Sequence, residues 1–569
     1  MKASENNFLR FLRKTTQFII PIYQRTYSWN LEQCKQLWDD INEAGENNNI
    51  SSHFIGSVVY IEQDTYQISS NTPMLVIDGQ QRLTTLFLLL EAFARELHIR
   101  QKEIDNISSD KLRNRYLLNP SEDDEQEFKL LLTETDKDSL LALLKQKDLP
   151  SLFSVNIINN FNYFSEQLKK CNDEKLQNIW AGLNKIIVVD VALAREKDNP
   201  QLIFESMNST GKALSQVDLI RNFILMGLEE KQQRELYINY WRKMELSFGQ
   251  EQYESIFNAF VRHYLTMKTK SIPRFDDIYD SYKKYKKENK NSIQDLVTDL
   301  YNYSTYFCDM FFGKKTKYSK DSLSQVFKSF KELQIDVAYP LLLELYGDFA
   351  NGTLKENEFC EIVKLIESYI FRRSICEIPT NSLNKTFATF SRDIDKNDYL
   401  DSIKRNFLTL NDYRRFPNDE EFKLKICQRN VYDFRNSRYL LISLENIKRN
   451  KGKIVFTEEY TIEHIMPQTL SNEWKLELGD NWEDCYTEML HTLGNLTLTE
   501  YNVEYSNEPF YKKLSLPEKG LKYSPLMLNT YFRTPELDKW NKDHIQKRAN
   551  NLANDAIKMW IYPTISLEL

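Results

Sequence analysis

Four apolar residues, Met74-Leu75-Val76-Ile77, stop at Asp78-Gly79, and beyond Gln80-Gln81-Arg82 an apolar helical stretch runs from Leu83 to Leu97. That order predicts a short buried strand, a glycine turn and a helix start. A helix start presents amides without internal partners, and the macrodipole favours an anion there. Gly79 would let a ligand approach the backbone, and Arg82 can fork onto phosphate oxygens. The same residues also suit an ordinary strand–turn–helix junction with a polar surface, so both alternatives stand at this point.

The surrounding chain predicts a mostly helical α+β protein. Glycine (14) and proline (15) are sparse among 569 residues, and long helix-periodic stretches dominate. This length suits two to four domains. Hydrophobic content of 41% supports sizeable cores. No apolar run approaches the roughly 18–20 residues of a membrane span, and no signal-peptide core precedes Pro21, so a cytoplasmic protein without membrane association is expected. Seven cysteines stand apart without a Cys-x-x-Cys pair, which argues against a disulfide framework or a thiolate zinc site. With 75 basic and 82 acidic residues the chain is no overall polycation, although a local nucleic-acid groove stays open.

Several stretches frame the 74–97 segment. Residues 18–29 are extended and rich in aromatics, and Asn30 with Gln33 forms a capping-box pattern before the next helix. Phe54 to Ile61 is β-rich and expected to pair with the strand before Asp78, and Lys185 to Val191 is a further strand candidate. Residues 100–150 read as a charged, irregular, solvated excursion. Asn208 to Gly211 has turn chemistry, and Ser215 with Asp218 opens another helix; this stretch suits either a ligand loop or a well-capped helix start. From 230 to 450 the pattern is helical. Its basic runs, Tyr282 to Lys287 and Lys314 to Lys317, fit solvated faces better than a phosphate track, whereas Arg372 and Arg373 follow an apolar set and lie closer to predicted core.

The last 120 or so residues change character. Residues 454–456 and 460–462 look like strands, followed by Glu463-His464-Ile465-Met466-Pro467, then His491-Thr492-Leu493-Gly494-Asn495-Leu496-Thr497-Leu498-Thr499 and Asn502. Phosphodiester hydrolysis with one divalent ion fits this set. A histidine can deprotonate water, and a carboxylate with an asparagine amide oxygen can hold Mg²⁺ or Mn²⁺. Glu463 and His464 face opposite ways on an extended strand, so only a bend or strand end near Pro467 would bring both to one site.

These motifs resemble the HNH (ββα-metal) nucleases, specifically the GmrD family. The resemblance implies His464 as general base, Glu463 as metal ligand, Asn495 as support for the histidine or phosphate, and Asn502 as distal metal ligand. Trp540, Ile545, Arg548, Leu552 and Trp560 fit its closing helix. The N-terminal third resembles the GmrS family, similar to the ParB/sulfiredoxin fold, through Ile20 to Trp29, Phe54 to Ser57, Asp78 to Thr85, and the pattern Phe204-Glu205, Asn208, Gly211, Leu214, Asp218-Leu219. Chains with both halves resemble GmrSD-type modification-dependent (type IV) restriction enzymes, including the SspE and BrxU kinds.

The resemblance implies a GmrS-like ParB-type domain over 1–230, a helical connecting region over 231–450 and a GmrD-like HNH domain over 451–569. It further implies that an NTP (GTP or ATP) binds at Asp78, Gly79, Gln80, Gln81, Arg82 and Thr84 with Asn208, Gly211 and Lys212. Modified phage DNA would be sensed through Tyr23, Gln24, Arg25, Tyr27 and Trp29, although Tyr27 and Trp29 equally suit packing against the next helix. The expected activity is an anti-phage DNA endonuclease regulated by NTP turnover, and a homo-oligomer stays open. The rivals are a nucleotide-switched DNA sensor without cleavage and a toxin-like nuclease acting on RNA or unmodified DNA.

Overall fold

In the computed structural model the described residues are 2–62, 73–193, 214–249, 252–333, 335–447, 449 and 460–565. The chain divides into two compact units, one of Met1–Asn258 with Phe275–Thr298, the other of Ala259–Arg274 with Asp299–Leu569. The protein is α+β and mostly helical, as expected, and no described helix is long and apolar enough to cross a membrane.

The first unit holds a six-stranded mixed sheet of β1 (Lys2–Asn7), β2 (Phe18–Ile19), β3 (His53–Glu62), β4 (Met74–Asp78), β5 (Leu130–Leu131) and β6 (Ile186–Leu193), in the order β1-β6-β3-β4-β2-β5. The expected pairing of β3 with β4 is present and antiparallel, with Val59 opposite Asp78. The β-rich stretch before Val191 forms β6, which runs parallel to β3. Helix Gln80–Arg100 is buried on nearly every side, including Leu83, Leu86, Phe87, Leu90, Phe93 and Leu97. A helix apolar all round belongs in a core, and this one sits at the centre of its unit. The capping box at Asn30 and Gln33 opens helix Leu31–Glu46, and the Ser215 hydroxyl caps helix Gln216–Leu225.

Residues 100–150 depart from expectation. Instead of a solvated excursion they contain helices Ser109–Tyr116 and Glu134–Leu144 and supply β5. Leu112, Leu117, Phe128, Leu130 and Leu140 enter the main core. Their apolar residues are separated by charges, and burial on one face of two short helices needs no long apolar run.

The second unit combines helices with a two-stranded sheet, β7 (Thr461–His464) antiparallel to β8 (Leu496–Thr499). Helices Asn502–Tyr505 and Phe510–Ser515 follow β8, and helix Lys542–Met559 closes the chain with Ile545, Arg548 and Leu552 buried, as its motif implied. Arg372 ties the helical part to this segment. Fully buried, it donates to Trp560 O at 2.6 Å and Pro417 O at 3.1 Å and pairs with Asp419. Arg373 donates to Tyr413 O and Pro379 O. Both arginines therefore serve packing, whereas Lys283 and Lys317 lie over Tyr279 and Tyr318 at 4.2 and 4.8 Å. The expected strand at 454–456 lies outside the described residues.

Candidate functional site

The Asp78–Arg82 turn is built as its sequence suggests. Gly79 is the N-cap of helix Gln80–Arg100 at φ 97°, and a Cβ there would lie 2.7 Å from Ser57 O. Gly56, at φ 115°, makes room for Arg82, whose Nε would stand 2.7 Å from a Cβ. Arg82 donates to Ser57 O at 2.9 Å and lies 3.8 Å from Asp78. Burial pushes the Asp78 carboxyl up, and Arg82 opposes it.

The two glutamines turn toward the aromatic segment. Gln80 donates to Arg25 O. Gln81 Oε1 accepts from Ser28 N at 2.9 Å and Trp29 N at 3.2 Å. Gln24 returns the contact by donating to Ile77 O at 2.8 Å. Tyr27 is pinned by a 2.7 Å hydroxyl contact with Thr85 and by its N–H to Asp136 at 2.6 Å. Thr84 is fully buried. Arg221 donates to Tyr23 O at 3.0 Å while pairing with Asp218 at 2.8 Å and Glu245 at 2.5 Å. The spaced segments 20–29, 54–57, 78–85 and the end of 204–219 thus converge in space. Asn208, Gly211 and Lys212 lie outside the described residues.

Tyr23, Gln24 and Tyr27 are buried and committed to internal contacts. Arg25, Thr26 and Ser28 line a cavity of about 140 Å³ together with Asp136, Arg221 and Glu254. Its wall is ionic more than aromatic. Burial pulls the Arg25 guanidinium down, with Asp218 and Glu254 opposing. Trp29 is half-buried and packs against the main core.

In the second unit Glu463 and His464 occupy opposite faces of β7. The Glu463 carboxylate accepts from Lys513 Nζ at 2.6 Å, and Lys513 also donates to His464 O at 2.9 Å. Burial pushes the Glu463 carboxyl up and the Lys513 ammonium down, and each partner opposes the other's shift. The His464 ring has His491 Nδ1 3.0 Å from its Nε2, Gln468 Nε2 3.2 Å from its Nδ1, and the Tyr432 ring 4.4 Å away. Its pKa is lowered to about 4, first by burial and then by His491 and Lys513. A neutral imidazole is the form a general base needs.

Asn495 is fully buried. Its Oδ1 accepts from Met466 N at 2.8 Å and Trp540 Nε1 at 3.0 Å, and its Nδ2 donates to Met466 O and Leu490 O. These bonds staple the start of β8 to the turn that follows His464. Arg548 strengthens the staple by donating to Gly494 O and Leu496 O, both at 2.8 Å. Asn502 Nδ2 donates to Thr461 Oγ1 at 2.6 Å, and its Oδ1 is buried without a hydrogen-bond partner.

Glu463 and Asn502 carry oxygens of the kind a hard divalent cation takes, but the Glu463 carboxylate is engaged by Lys513 on the face of β7 opposite the His464 ring. Glu463 supplies a carboxylate and Asn502 an unpartnered amide oxygen, and Mg²⁺ commonly keeps several waters beside one or two protein ligands. Among the described residues there is no cluster of three or more His, Cys, Asp or Glu side chains that could form a closed cage. Lys513, His491, Gln468 and Tyr432 are absent from the expected site. His491 opens the Gly-Asn motif stretch 491–499, so its nearness to His464 had a signal, whereas Tyr432 reaches the ring from a loop with none.

None of the curated proteins compared matches the chain. The N-terminal domain of the GmrSD restriction endonucleases matches residues 8–225, and their C-terminal domain matches residues 416–555. Residues 8–225 contain the converging loop, and residues 416–555 contain the whole surround of His464. The two matches stand in family order and together span more than half of the sequence. With both domains present, the chain belongs to the GmrSD restriction endonucleases, a type IV restriction family.

Proposed function

We propose that this restriction endonuclease hydrolyses modified DNA at His464 and that NTP binding and turnover at the Asp78–Arg82 turn regulates the cut. The observation carrying the cleavage assignment is a buried imidazole at the end of β7, its Nε2 3.0 Å from His491 Nδ1 and its Nδ1 3.2 Å from the Gln468 amide. His464 takes a proton from water as the water oxygen bonds to phosphorus. The bond from phosphorus to the leaving oxygen breaks, and its electron pair stays on that oxygen, which is then protonated by solvent. A divalent ion would supply positive charge for the phosphate and leaving oxygen; Asn502 offers it an amide oxygen, and Glu463 would join it only by leaving Lys513 and the face of β7 opposite His464. Asn495 and Arg548 keep the β7 and β8 ends in register, and Lys513 holds the Glu463 carboxylate in place.

The regulatory assignment is supported by the glycine-capped start of helix Gln80–Arg100 and by its side-chain links to residues 24–29. A nucleotide bound there would act directly on the backbone of the segment proposed to meet DNA. Of Tyr23, Gln24, Arg25, Tyr27 and Trp29, only Arg25 and Trp29 are not buried, and Arg25 lines the adjoining cavity.

The test is a cleavage panel with Mg²⁺ on modified phage DNA, plain plasmid and total RNA, each with and without GTP or ATP. Wild type is expected to cut modified DNA in a nucleotide-dependent way, and His464→Ala to leave it intact. Persisting nicking by His464→Ala would remove the cleavage assignment. Unchanged NTP hydrolysis by Asp78→Ala and Arg82→Ala would remove the nucleotide role.

A further inference from the structure

The two nitrogens of the His464 ring have unequal neighbours. Nε2 lies 3.0 Å from His491 Nδ1, and Nδ1 lies 3.2 Å from the side-chain amide of Gln468. His491 is half-buried and doubly held. Its carbonyl accepts from Val431 N at 2.8 Å, and its ring stacks on Tyr432 with centroids 5.5 Å apart and planes 19° from parallel. Gln468 is an exposed residue in the turn after β7. The Nε2 contact is therefore fixed by surrounding structure, while the Nδ1 contact can be exchanged for solvent.

A neutral imidazole carries one proton, so one nitrogen donates and the other accepts, and the hydrogen bond made by one selects the role of the other. We propose that His491 is a positioning residue for the His464 base: its Nδ1 accepts the Nε2 proton of His464, leaving the His464 Nδ1 lone pair to take the proton of the attacking water. Gln468 donates to that lone pair in the resting protein and marks the place the water takes. This assignment rests on the hydrolytic role of His464 and adds the partner that selects its tautomer. Among the described residues, His491 and Gln468 are the side chains that hydrogen-bond the His464 ring.

His491→Asn and His491→Leu test it, because the two replacements branch alike at Cγ and only Asn offers an acceptor near the former Nδ1. Cleavage of modified DNA is measured at saturating DNA with Mg²⁺, beside His464→Ala. His491→Leu is expected to lose about 10²-fold in kcat with little change in KM, the size of a general-base effect, and His491→Asn to recover most of that loss. Equal rates for Leu and wild type, or for Leu and Asn, would overturn the role of His491. Cleavage by His464→Ala would instead overturn the hydrolytic assignment beneath it. Long-range proton–nitrogen NMR of the full wild-type chain reads the His464 tautomer without relying on any variant's folding. A proton on Nε2 is expected, and a proton on Nδ1 would overturn the inference.

Discussion

Glu463 and His464, adjacent in sequence, turn to opposite faces of β7, the carboxylate 2.6 Å from Lys513 Nζ and the imidazole 3.0 Å from His491 Nδ1. The strand's alternation separates the Glu463–Lys513 pair from the His464–His491 contact within one peptide unit. Lys513 consequently sets the electrostatics of one face while contributing through His464 O to the backbone of the other.

Lys513→Met should destabilise the protein by about 3–5 kcal/mol, because it leaves the buried Glu463 carboxylate without its partner. Adding Glu463→Gln should recover much of that loss, since the remaining amide carries no charge. Urea denaturation of the single and double variants provides the comparison. Equal stability of Lys513→Met and wild type would show that the pair is not coupled in the folded protein.

Asn495→Ala should be among the most damaging substitutions near the site although it removes no charge. It strands the buried donors Met466 N and Trp540 Nε1, each at a cost of about 1–3 kcal/mol. Trp540→Phe removes one donor together with its need for an acceptor and should cost less at this staple. Thermal melting followed by tryptophan fluorescence for Asn495→Ala, and by circular dichroism for both, would rank them.

Gly79→Ala should lower stability by at least about 1–2 kcal/mol, the cost of holding an L-residue in a left-handed conformation. The added Cβ would also meet Ser57 O at 2.7 Å, so the turn must shift. If the nucleotide role is correct, NTP hydrolysis falls with it. Denaturation and NTP turnover measured on one preparation separate the two effects: retained turnover in a destabilised protein would detach the turn's shape from nucleotide chemistry.

Asp136→Asn should remove a pH-dependent cost from the first unit. The Asp136 carboxyl accepts from Tyr27 N at 2.6 Å, and burial raises its pKa to about 6 from 3.8. Because the folded value is raised, the contribution to stability is present below about pH 4 and is lost as pH rises toward 6. A shift of that size corresponds to about 3 kcal/mol, and asparagine keeps an acceptor for Tyr27 N. Urea denaturation at about pH 4 and about pH 7 should show the variant gaining on wild type at the higher pH. A constant difference between the two proteins would refute the assignment.

The strand–glycine–helix at 74–97 was legible because its evidence is local: an apolar run, a residue suited to positive φ, and a resumed apolar stretch. The capping box at Asn30 and the opposed faces of Glu463 and His464 were legible for the same reason. Residues 100–150 were misread because charges interrupt Leu112, Leu117, Phe128, Leu130 and Leu140 in sequence while the fold gathers them into one core. Tyr23 and Tyr27 were both candidates for a sensing pocket and Tyr27 equally for packing; both are buried against the protein's own elements.

The sequence by itself determined the order of the motifs, the turn at Asp78-Gly79, the general-base candidate His464 and the asparagines that accompany it. Only the tertiary structure decided that Gln80 and Gln81 bind the backbone of residues 25–29, that Lys513 pairs with Glu463, and that His491, Gln468 and Tyr432 surround His464. The division has a physical cause. Backbone turns, caps and strand alternation are set by neighbours along the chain, whereas the partner of a buried polar group is set by whichever distant segment packing brings within hydrogen-bond reach.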